Sequence, residues 1–371
     1  MKFSISSDEL QKALNIIGGV IPSKSTLPIL ENFLFDISKN QVTITATDLD
    51  TTMSISAGVK SSDSGKIAVP ARRLSETIRS FPNTDLTFTI DVESKKILMN
   101  TENGEYKLTG ESSDDYPTIG AFKAKEEMKI NNEILKRLIM KTTFAVSSDE
   151  LRPAMMGICF QIKNNEIRAI ATDGHRLVRI GNTTFTSSKV EREVVIPSKA
   201  MNLVLKSFKD EESTIAFNDT HAMFTLGSVT MISRMIEDKY PNYESVIPID
   251  NDKKLIVDRN QLMNSVRRTA LYASSTTHQV RCSLKKSSMT VSAEDIDFGS
   301  EAKETLTCDY SAEPMEIGFN ATYMIDILSH IDTNEVLMML SSPTRASIVK
   351  PTDQQPGENL LMLIMPVRLN T

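Results

Sequence analysis

One short segment combines residue types that could carry out acid–base chemistry. Within the run Thr172-Asp173-Gly174-His175-Arg176-Leu177, a carboxylate, an imidazole and a guanidinium stand side by side. A histidine near a carboxylate can act as a general base, and an arginine can stabilise an anion. One hypothesis is therefore a hydrolase or transferase that uses Asp173, His175 and Arg176. It predicts turnover that His175→Ala abolishes.

The other residues with chemical potential are scattered. The histidines stand at least 46 positions apart, and the cysteines are odd in number and unclustered, as in a reducing compartment; these residues are His175, His221, His278, His330, Cys159, Cys282 and Cys308. No spacing matches a local metal site, and the 14 glycines form no nucleotide-binding loop. The sequence therefore predicts no metal and no other cofactor, and buried, unreactive cysteines.

The segment belongs to a feature that recurs along the chain of 371 residues. An alternating strand ends in an aspartate three times, at intervals of 125 and 122 residues: Ala46-Thr47-Asp48, Ala171-Thr172-Asp173 and Ala293-Glu294-Asp295. A second marker repeats at intervals of 124 and 125 residues: Tyr116-Pro117, Tyr240-Pro241 and Met365-Pro366. One period shared by markers of different composition indicates three tandem copies of a domain. The expected domains are 1–123, 124–250 and 251–371.

Each copy has the pattern of two helices and several strands. Apolar residues at helical spacing predict helices at 7–19, 70–81, 131–144, 197–209, 258–273 and 319–332. Ser7, Asn131 and Asp258 are the expected N-caps of three of them. Period-2 alternation, as in Val42 and Ile44, predicts half-buried antiparallel strands. The fold class is α+β, with three tandem copies of a two-helix, antiparallel-sheet domain that could form half of a closed ring.

The repeat also acts as an internal control, because scaffold requirements should recur in all three copies. Copies one and three read Asp48-Leu49-Asp50 and Asp295-Ile296-Asp297, whereas copy two reads Asp173-Gly174-His175. Asp-Gly favours a tight hairpin turn, so a purely structural interpretation explains the Asp-Gly part of this departure but not the residues that follow it. The apolar segment Met365 to Leu369 is a second departure. Both segments are therefore candidates for function.

Charge is distributed unevenly between helices and the rest of the chain. The net charge of −6 argues against nucleic acid, but the six predicted helices carry 13 basic and 7 acidic residues, so the remainder totals −12. Basic helices over an acidic body are the pattern expected for contact with the phosphates of duplex DNA, although exposed helix faces can be basic by chance. The chain has no Trp and no interleaved aromatics, which disfavours single-strand stacking. The predicted DNA-facing residues are Lys12, Lys24, Arg72, Arg73, Arg79, Lys136, Arg137, Lys141, Arg152, Lys199, Lys206, Arg267 and Arg268.

The sequence also bears on location. No apolar run approaches the roughly 20 residues that span a bilayer, and the first residues lack the apolar stretch of a secretory signal. The expected location is the cytoplasm, with no membrane partner.

Four segments resemble the bacterial sliding clamps, the family of the beta subunit of DNA polymerase III, and the resemblance spans the whole chain. These segments are residues 171–177, Tyr240-Pro241-Asn242-Tyr243, Gly318-Phe319-Asn320-Ala321-Thr322-Tyr323 and Met365-Pro366-Val367-Arg368-Leu369. The resemblance implies a head-to-tail homodimeric ring around double-stranded DNA, with twelve helices lining the hole and no active site. It also implies a pocket that binds short peptide motifs of the replicative polymerase, the clamp loader, other polymerases and repair proteins.

The resemblance further implies which residues form that pocket, between the second and third domains. They are Met155, Thr172, Gly174, His175, Arg176, Leu177, Pro241, Val246, Asn320, Tyr323, Met365, Pro366, Val367, Arg368 and Leu369. Two positions depart from the family. Glu244-Ser245 replaces a frequent arginine at the rim, and Arg152-Pro153 stands where some relatives have aromatics. A repeat protein that binds only proteins, with no retention on circular DNA, is the remaining alternative.

Overall fold

The computed structural model describes residues 1–61, 63–117, 120, 122–186 and 190–369. It consists of two compact units. One unit comprises residues 1–136 and 199–236, and the other comprises residues 137–198 and 237–371. The middle repeat therefore contributes to both units, while the first and third repeats each belong to one.

The first and second repeats have the same order of elements, each with two helices and eight strands. The first consists of β1 (Lys2–Ser6), α1 (Ser7–Ile17), β2 (Asn32–Ser38), β3 (Gln41–Thr47), β4 (Thr51–Gly58), β5 (Gly65–Pro70), α2 (Ala71–Arg79), β6 (Asp85–Asp91), β7 (Lys96–Asn100) and β8 (Glu105–Thr109). The second consists of β9 (Glu126–Asn131), α3 (Asn132–Thr142), β10 (Gly157–Lys163), β11 (Glu166–Thr172), β12 (Arg176–Asn182), β13 (Arg192–Pro197), α4 (Ser198–Leu205), β14 (Glu212–Phe217), β15 (His221–Leu226) and β16 (Val229–Arg234).

The third repeat keeps this order and adds one two-residue strand. It consists of β17 (Lys253–Asp258), α5 (Arg259–Ala270), β18 (Gln279–Lys285), β19 (Ser288–Asp295), β20 (Ser300–Thr307), β21 (Asp309–Tyr310), β22 (Met315–Asn320), α6 (Ala321–Ser329), β23 (Glu335–Leu340), β24 (Ser347–Pro351) and β25 (Glu358–Ile364). The same pattern of elements in all three copies confirms the α+β class and the repeat.

The sheets of neighbouring repeats merge by antiparallel pairing. In the first unit, β4 pairs with β16 to give an eight-stranded sheet in the order β5-β2-β3-β4-β16-β15-β14-β9. In the second unit, β12 pairs with β25 to give a nine-stranded sheet in the order β13-β10-β11-β12-β25-β24-β23-β17-β21. Two four-stranded sheets, β1-β6-β7-β8 and β20-β19-β18-β22, stay separate, one in each unit.

All six predicted helices are present, and each is shorter than its apolar periodicity suggested. The periodic pattern continues into buried residues of the following turn, such as Ile331, which is 1% exposed but lies beyond α6. Asn131 and Asp258 accept hydrogen bonds from the first-turn amides, as predicted for caps. Ser7 was the wrong cap: Ser6 accepts from the Glu9 amide, and the Ser7 hydroxyl donates to the Pro82 carbonyl instead.

Each helix buries its apolar stripe against a sheet. Leu10 and Ile17 of α1, Leu74 of α2 and Leu262 of α5 are fully buried. Burial of side chains of this size contributes about 1.5–3 kcal/mol each, which is enough to fix how a helix lies on its sheet. The positions of residues along these helices, and of the turns between strands, are thereby set.

The three matched aspartates form the same turn, as the repeat predicted. Asp48 accepts a hydrogen bond from the Thr51 amide, Asp173 from the His175 and Arg176 amides, and Asp295 from the Asp297 and Phe298 amides. Aspartate stabilises such turns by replacing a backbone acceptor. The carboxylates of all three are therefore used by the backbone.

Candidate functional site

The hairpin between β11 and β12 has a turn conformation stabilised by its own side chains. The Thr172 hydroxyl donates to the Arg176 carbonyl at 2.7 Å and accepts from the Gly174 amide at 3.1 Å. Gly174 has φ +90°, a backbone conformation in which a residue with a side chain would be strained. His175 is exposed at the tip. The turn therefore places His175 at its exposed tip.

Arg176 faces inward from this hairpin and is 8% exposed. Its Nε donates to Asp173 Oδ2 at 3.1 Å, its Nη1 to Asp326 Oδ2 at 2.5 Å, and its Nη2 to the Phe144 carbonyl at 2.6 Å. Its guanidinium carbon lies 5.3 Å from the Phe144 ring centre and 4.8 Å from that of Tyr323. Arg176, which the resemblance assigns to the pocket, is therefore largely buried, and its three guanidinium nitrogens donate to groups inside the unit.

The two segments that depart from the repeat lie side by side. Leu177 of β12 is opposite Leu363 of β25, and just beyond that pair the Met365 amide donates to the His175 carbonyl at 2.8 Å. The Val367 amide donates to the Gly318 carbonyl at 2.9 Å, so the last segment runs along the edge of β22. Strand pairing thus brings together residues almost two hundred positions apart.

Aromatic and apolar groups complete this surface. The His175 ring stacks on Tyr323, with ring centres 5.7 Å apart. Asn320 caps α6 by accepting from the Tyr323 amide at 3.2 Å, which fixes the helix that carries this ring. Met155 is 9% exposed, and its Cε would lie 3.8 Å from a Cβ on Gly174. Met365 is 38% exposed beside them. The surface can bind apolar side chains next to an imidazole.

Other predicted pocket residues lie on adjoining segments. Pro241 lines a cleft of about 590 Å³, together with β10 and β11 residues and Glu244. Glu244 pairs with Arg168 at 3.6 Å, so the acidic residue at the rim has a cationic neighbour. Val246 is 52% exposed at the end of a short 3-10 turn, Pro366 is half-buried, and Arg368 is exposed.

The junction of the first and second repeats has the same backbone frame with different chemistry. There the Arg234 amide donates to the Asp50 carbonyl at 2.8 Å, as the Met365 amide does to His175. Lys199 of α4 forms an ion pair with Asp48 of the turn. The charged residues Asp50 and Arg234 thus occupy the positions of His175 and Met365 at the other junction. An exposed apolar residue beside an imidazole is therefore found at one of these two junctions.

Asp173, His175 and Arg176 do not form the catalytic arrangement that the enzyme hypothesis requires. Asp173 bonds to two backbone amides and to Arg176, whereas the His175 ring stacks on Tyr323. Burial raises the pKa of the Cys159 thiol, and that of Cys282 to about 12, so these thiols stay protonated. Within the described part of the chain, no group of three His, Cys, Asp or Glu side chains could hold a metal ion. The same residues contain no helix of a length and apolarity that could cross a membrane.

Two of the predicted DNA-facing residues are used inside the second unit. The Lys141 side chain is 7% exposed and donates to Asp332 Oδ1 at 2.6 Å and to the His330 carbonyl at 2.5 Å. Arg137 pairs with the buried Glu358 and with Asp332, and its hydrogen bonds to Glu358 raise the pKa of the guanidinium. The prediction for Lys141 is therefore wrong, and both residues join α3 to the third repeat.

The other predicted basic residues are exposed. Five form ion pairs with neighbours that are themselves accessible or at a surface: Lys12 with Asp8, Arg72 with Glu76, Arg152 with Asp149, Lys199 with Asp48, and Arg268 with Glu304. Such exposed pairs are weak and can exchange for phosphate. The exposed set also includes Lys24, Arg73, Arg79, Lys136, Lys206 and Arg267.

Comparison with known proteins gives one consistent result. Three family models match in succession: the N-terminal domain of the DNA polymerase III beta subunit over residues 1–120, the central domain over 129–242 and the C-terminal domain over 244–368. The beta sliding clamp of Pseudomonas aeruginosa is 30% identical, with 100% of both chains covered. That of Vibrio cholerae is 26% identical with the same coverage. The crystal structure of the sliding clamp from Bartonella birtlesii bound to griselimycin has a TM-score of 0.94 at 28% identity, with both chains fully covered.

Gly318 provides a test of how the last segment is held. A Cβ at this position would lie 2.7 Å from Leu369 Cδ2 and 2.8 Å from the Val367 carbonyl oxygen. We expect Gly318→Ala to push this segment off β22 and to lower the free energy of unfolding by about 1–3 kcal/mol. Denaturant unfolding and hydrogen exchange at the Val367 amide measure the two effects. Gly58→Ala is the control, because nothing lies within 4 Å of its Cβ. Unchanged protection of Val367 in Gly318→Ala would contradict this description.

Proposed function

The chain belongs to the family of the DNA polymerase III beta subunit, the bacterial sliding clamps, and we propose that two copies close around duplex DNA and tether other proteins through the surface around His175 and Met365. A sliding clamp is a processivity factor for DNA replication and not an enzyme, so the role proposed for His175 is binding rather than catalysis. The succession of three matched domains over residues 1–368 carries this conclusion. A replication protein of this kind would work in the cytoplasm.

The pairing between repeats supports a specific mode of ring closure. β4 of the first repeat pairs with β16, the last strand of the second, and β12 of the second repeat pairs with β25, the last strand of the third. The corresponding strands that remain are β20 of the third repeat and β8 of the first, each at the edge of a four-stranded sheet. Since exposed strand edges bind further strands, β20 of one copy would pair with β8 of the second copy.

The two existing junctions also give the register of this pairing. Thr52 is opposite Ile232 in one, and Leu177 is opposite Leu363 in the other. The residue before the matched aspartate pairs across its hairpin with Thr52 in the first repeat, Leu177 in the second and Glu301 in the third. Glu301 is therefore the counterpart of Thr52 and Leu177. On the last strand of each repeat, Lys107 pairs with Leu98, Ile232 with Met223 and Leu363 with Ile348. Because Leu98, Met223 and Ile348 are equivalent positions in the repeat, Lys107 is the counterpart of Ile232 and Leu363. Glu301 of one copy would therefore lie opposite Lys107 of the other.

Charge supports that register. With Glu301 opposite Lys107, Lys303 lies opposite Glu105 and Ala302 opposite Tyr106. Opposite charges across paired strands are favourable, and like charges are unfavourable. A slip of two residues in either direction would place Glu301 opposite Glu105, or Lys303 opposite Lys107. The sequence of these two edges thus favours one alignment.

An exposed apolar group lies beside the same edge. Leu271 directly follows α5 and is 82% exposed, and Tyr272 is 45% exposed. Phe144 occupies the equivalent place after α3, where its ring stacks on His330 of the next repeat with centres 3.9 Å apart. Leu271 would make the corresponding contact with the first repeat of the second copy. Its burial would add apolar stabilisation to the charged strand pairing.

Charge reversal tests the register. Lys107→Glu should weaken the dimer by on the order of 30-fold, because each of two junctions loses about 1 kcal/mol. Adding Glu301→Lys should restore most of the affinity, since the pair is re-formed with reversed polarity. Sedimentation equilibrium measures the dissociation constant. Lys39→Glu, in an exposed turn of the first repeat, is the control for charge alone. A double variant as weak as Lys107→Glu would show that the register is wrong.

The exposed basic residues of the helices would contact the DNA backbone. Contacts to phosphate are independent of base sequence and weaken with salt, which suits a protein that must slide. Because Lys141 and Arg137 are used internally, we leave them out of this set and retain exposed residues such as Arg73, Lys136 and Arg267. Each of these three comes from a different repeat, so the contact is distributed along the chain.

A charge-matched comparison tests this assignment. Replacing Arg73, Lys136 and Arg267 together by Ala should lower the loading of the clamp onto circular DNA several-fold, because three phosphate contacts are lost. The control replaces Lys39, Lys95 and Lys286 by Ala, which removes the same charge from one exposed turn in each of three sheets. Loading is measured by gel filtration of the DNA-bound protein. Equal loading by the two triple variants would contradict a specific role for the helices.

The surface around His175 would bind the partners. Its chemistry suits a short peptide with hydrophobic anchors and a glutamine, carried by the replicative polymerase subunit, the clamp loader, other polymerases and repair proteins. Met365 supplies an exposed apolar contact, buried Leu177 supports the strand beneath it, and His175 and Tyr323 supply a stacked aromatic edge. A few buried anchors concentrate binding energy in few residues.

Calorimetry with a synthetic peptide of that composition tests the surface. Deleting residues 365–371 should cost about 2–4 kcal/mol of binding free energy, and His175→Ala should cost at least about 1 kcal/mol. Asn370 and Thr371 lie outside the described residues. The dimer should persist in both variants, because β8 and β20 are unchanged. A truncated dimer that binds the peptide with unchanged affinity would move the partner site elsewhere.

A further inference from the structure

We propose that Asp326 of α6 is a positioning residue of the peptide surface, acting through Arg176 and without touching the peptide itself. This inference rests on the proposed function, since it assigns the hairpin of His175 to partner binding. It follows from the way one buried guanidinium is shared among three elements. Two of these elements supply a carboxylate and the third a backbone carbonyl.

Arg176 connects the hairpin, the turn after α3 and helix α6. Asp173 accepts from Nε within the hairpin, the Phe144 carbonyl accepts from Nη2, and Asp326 accepts from Nη1. Asp173 is already committed, because its other oxygen accepts from the His175 and Arg176 amides at 2.9 Å. Asp326 is therefore the carboxylate that attaches the hairpin to another element.

The contacts of α6 converge on the same place. Tyr323 precedes Asp326 by three positions, so both side chains lie on one face of the helix. The Tyr323 ring contacts the guanidinium, with its centre 4.8 Å from Cζ, and stacks on His175. His330, just after α6, stacks on Phe144, whose carbonyl accepts from Arg176. Two residues on one face of α6 therefore contact the arginine, Asp326 by a hydrogen bond and Tyr323 by its ring, and Tyr323 also stacks on the exposed imidazole.

Loss of the Asp326 charge would release this arrangement. A buried cation that loses one of its carboxylates moves toward solvent or water, because its desolvation is no longer compensated. Arg176 is the residue on which the hairpin and the Tyr323 ring meet, so its displacement would move His175. Binding sites depend on such supporting contacts, since a shift of about 1 Å degrades the fit to a ligand. The affected property would be peptide affinity rather than folding alone.

Asp332 provides a matched control. It lies just after α6 and, like that of Asp326, its carboxylate pairs with cations of the second repeat, in its case Lys141 at 2.6 Å and Arg137 at 2.7 Å. Those contacts join α3 to the third repeat and include no direct contact with Arg176 or the hairpin. Asp326→Asn and Asp332→Asn both replace a carboxylate by an amide of the same shape. They differ in whether the lost charge supports the hairpin.

The experiment measures peptide affinity by calorimetry and the free energy of unfolding by denaturant, on the full-length dimer of each variant. Asp326→Asn should lower affinity about tenfold and Asp332→Asn less than about twofold, even where both lower stability. In an Arg176→Met background, Asp326→Asn should have no further effect on affinity. NMR of the His175 ring should show a changed environment in Asp326→Asn only.

The outcomes separate this inference from the proposed function. If His175→Ala lowers affinity but Asp326→Asn does not, the surface binds the peptide and the positioning role is refuted. Equal losses for Asp326→Asn and Asp332→Asn would assign Asp326 to general stability and would also refute it. If neither His175→Ala nor Asp326→Asn changes affinity, the proposed partner surface fails and the positioning role fails with it.

Discussion

The structure depends on hydrogen bonding between the edge strands of successive repeats. A β-sheet edge carries unpaired amides and carbonyls that must be paired, covered or protected. Here β4 pairs with β16, and β12 pairs with β25, so four strand edges are satisfied within the chain. Three other edge strands are bridged locally, β1 by Lys60, β5 by Glu111 and β22 by Val367. Dimerisation through β20 and β8 would extend the same solution to a second copy.

The same constraint explains how equivalent junctions can differ in their surface side chains. Strand pairing fixes the backbone at both junctions. It includes the hydrogen bonds from the Arg234 amide to the Asp50 carbonyl and from the Met365 amide to the His175 carbonyl. Side chains are then free to diverge, because the frame does not depend on them. An ion pair between Lys199 and Asp48 occupies one junction, and a stacked imidazole with exposed methionine occupies the other. A repeated scaffold can thus carry a single binding surface.

Local sequence patterns predicted most of the fold. The repeat period, the six helices and the aspartate turns follow from spacing and turn chemistry, and they are present in the structure. The meeting of Gly174–Leu177 with Met365–Leu369 could be suspected because both depart from the repeat. Helix ends were overestimated, because buried residues such as Ile331 continue the apolar period beyond the last helical turn.

Long-range ion pairing could not be predicted in this way. Arg176 and Asp326 are 150 residues apart, and Arg137 and Glu358 are 221 apart. No local pattern distinguishes these cations from exposed ones such as Arg73. Counting charge by helix therefore treated Lys141 and Arg137 as available for DNA, whereas their acidic partners come from the third repeat. A basic helix face indicates a binding surface only after such internal pairs are removed.

The central claim is that the protein is held on DNA by encirclement rather than by tight contact. The most direct measurement is retention of loaded protein on nicked circular DNA, before and after the circle is linearised, at a salt concentration that removes weak phosphate contacts. The account predicts stable retention on the circle and rapid loss through the ends once it is cut. Equal retention on circular and linear DNA, or none on either, would contradict it.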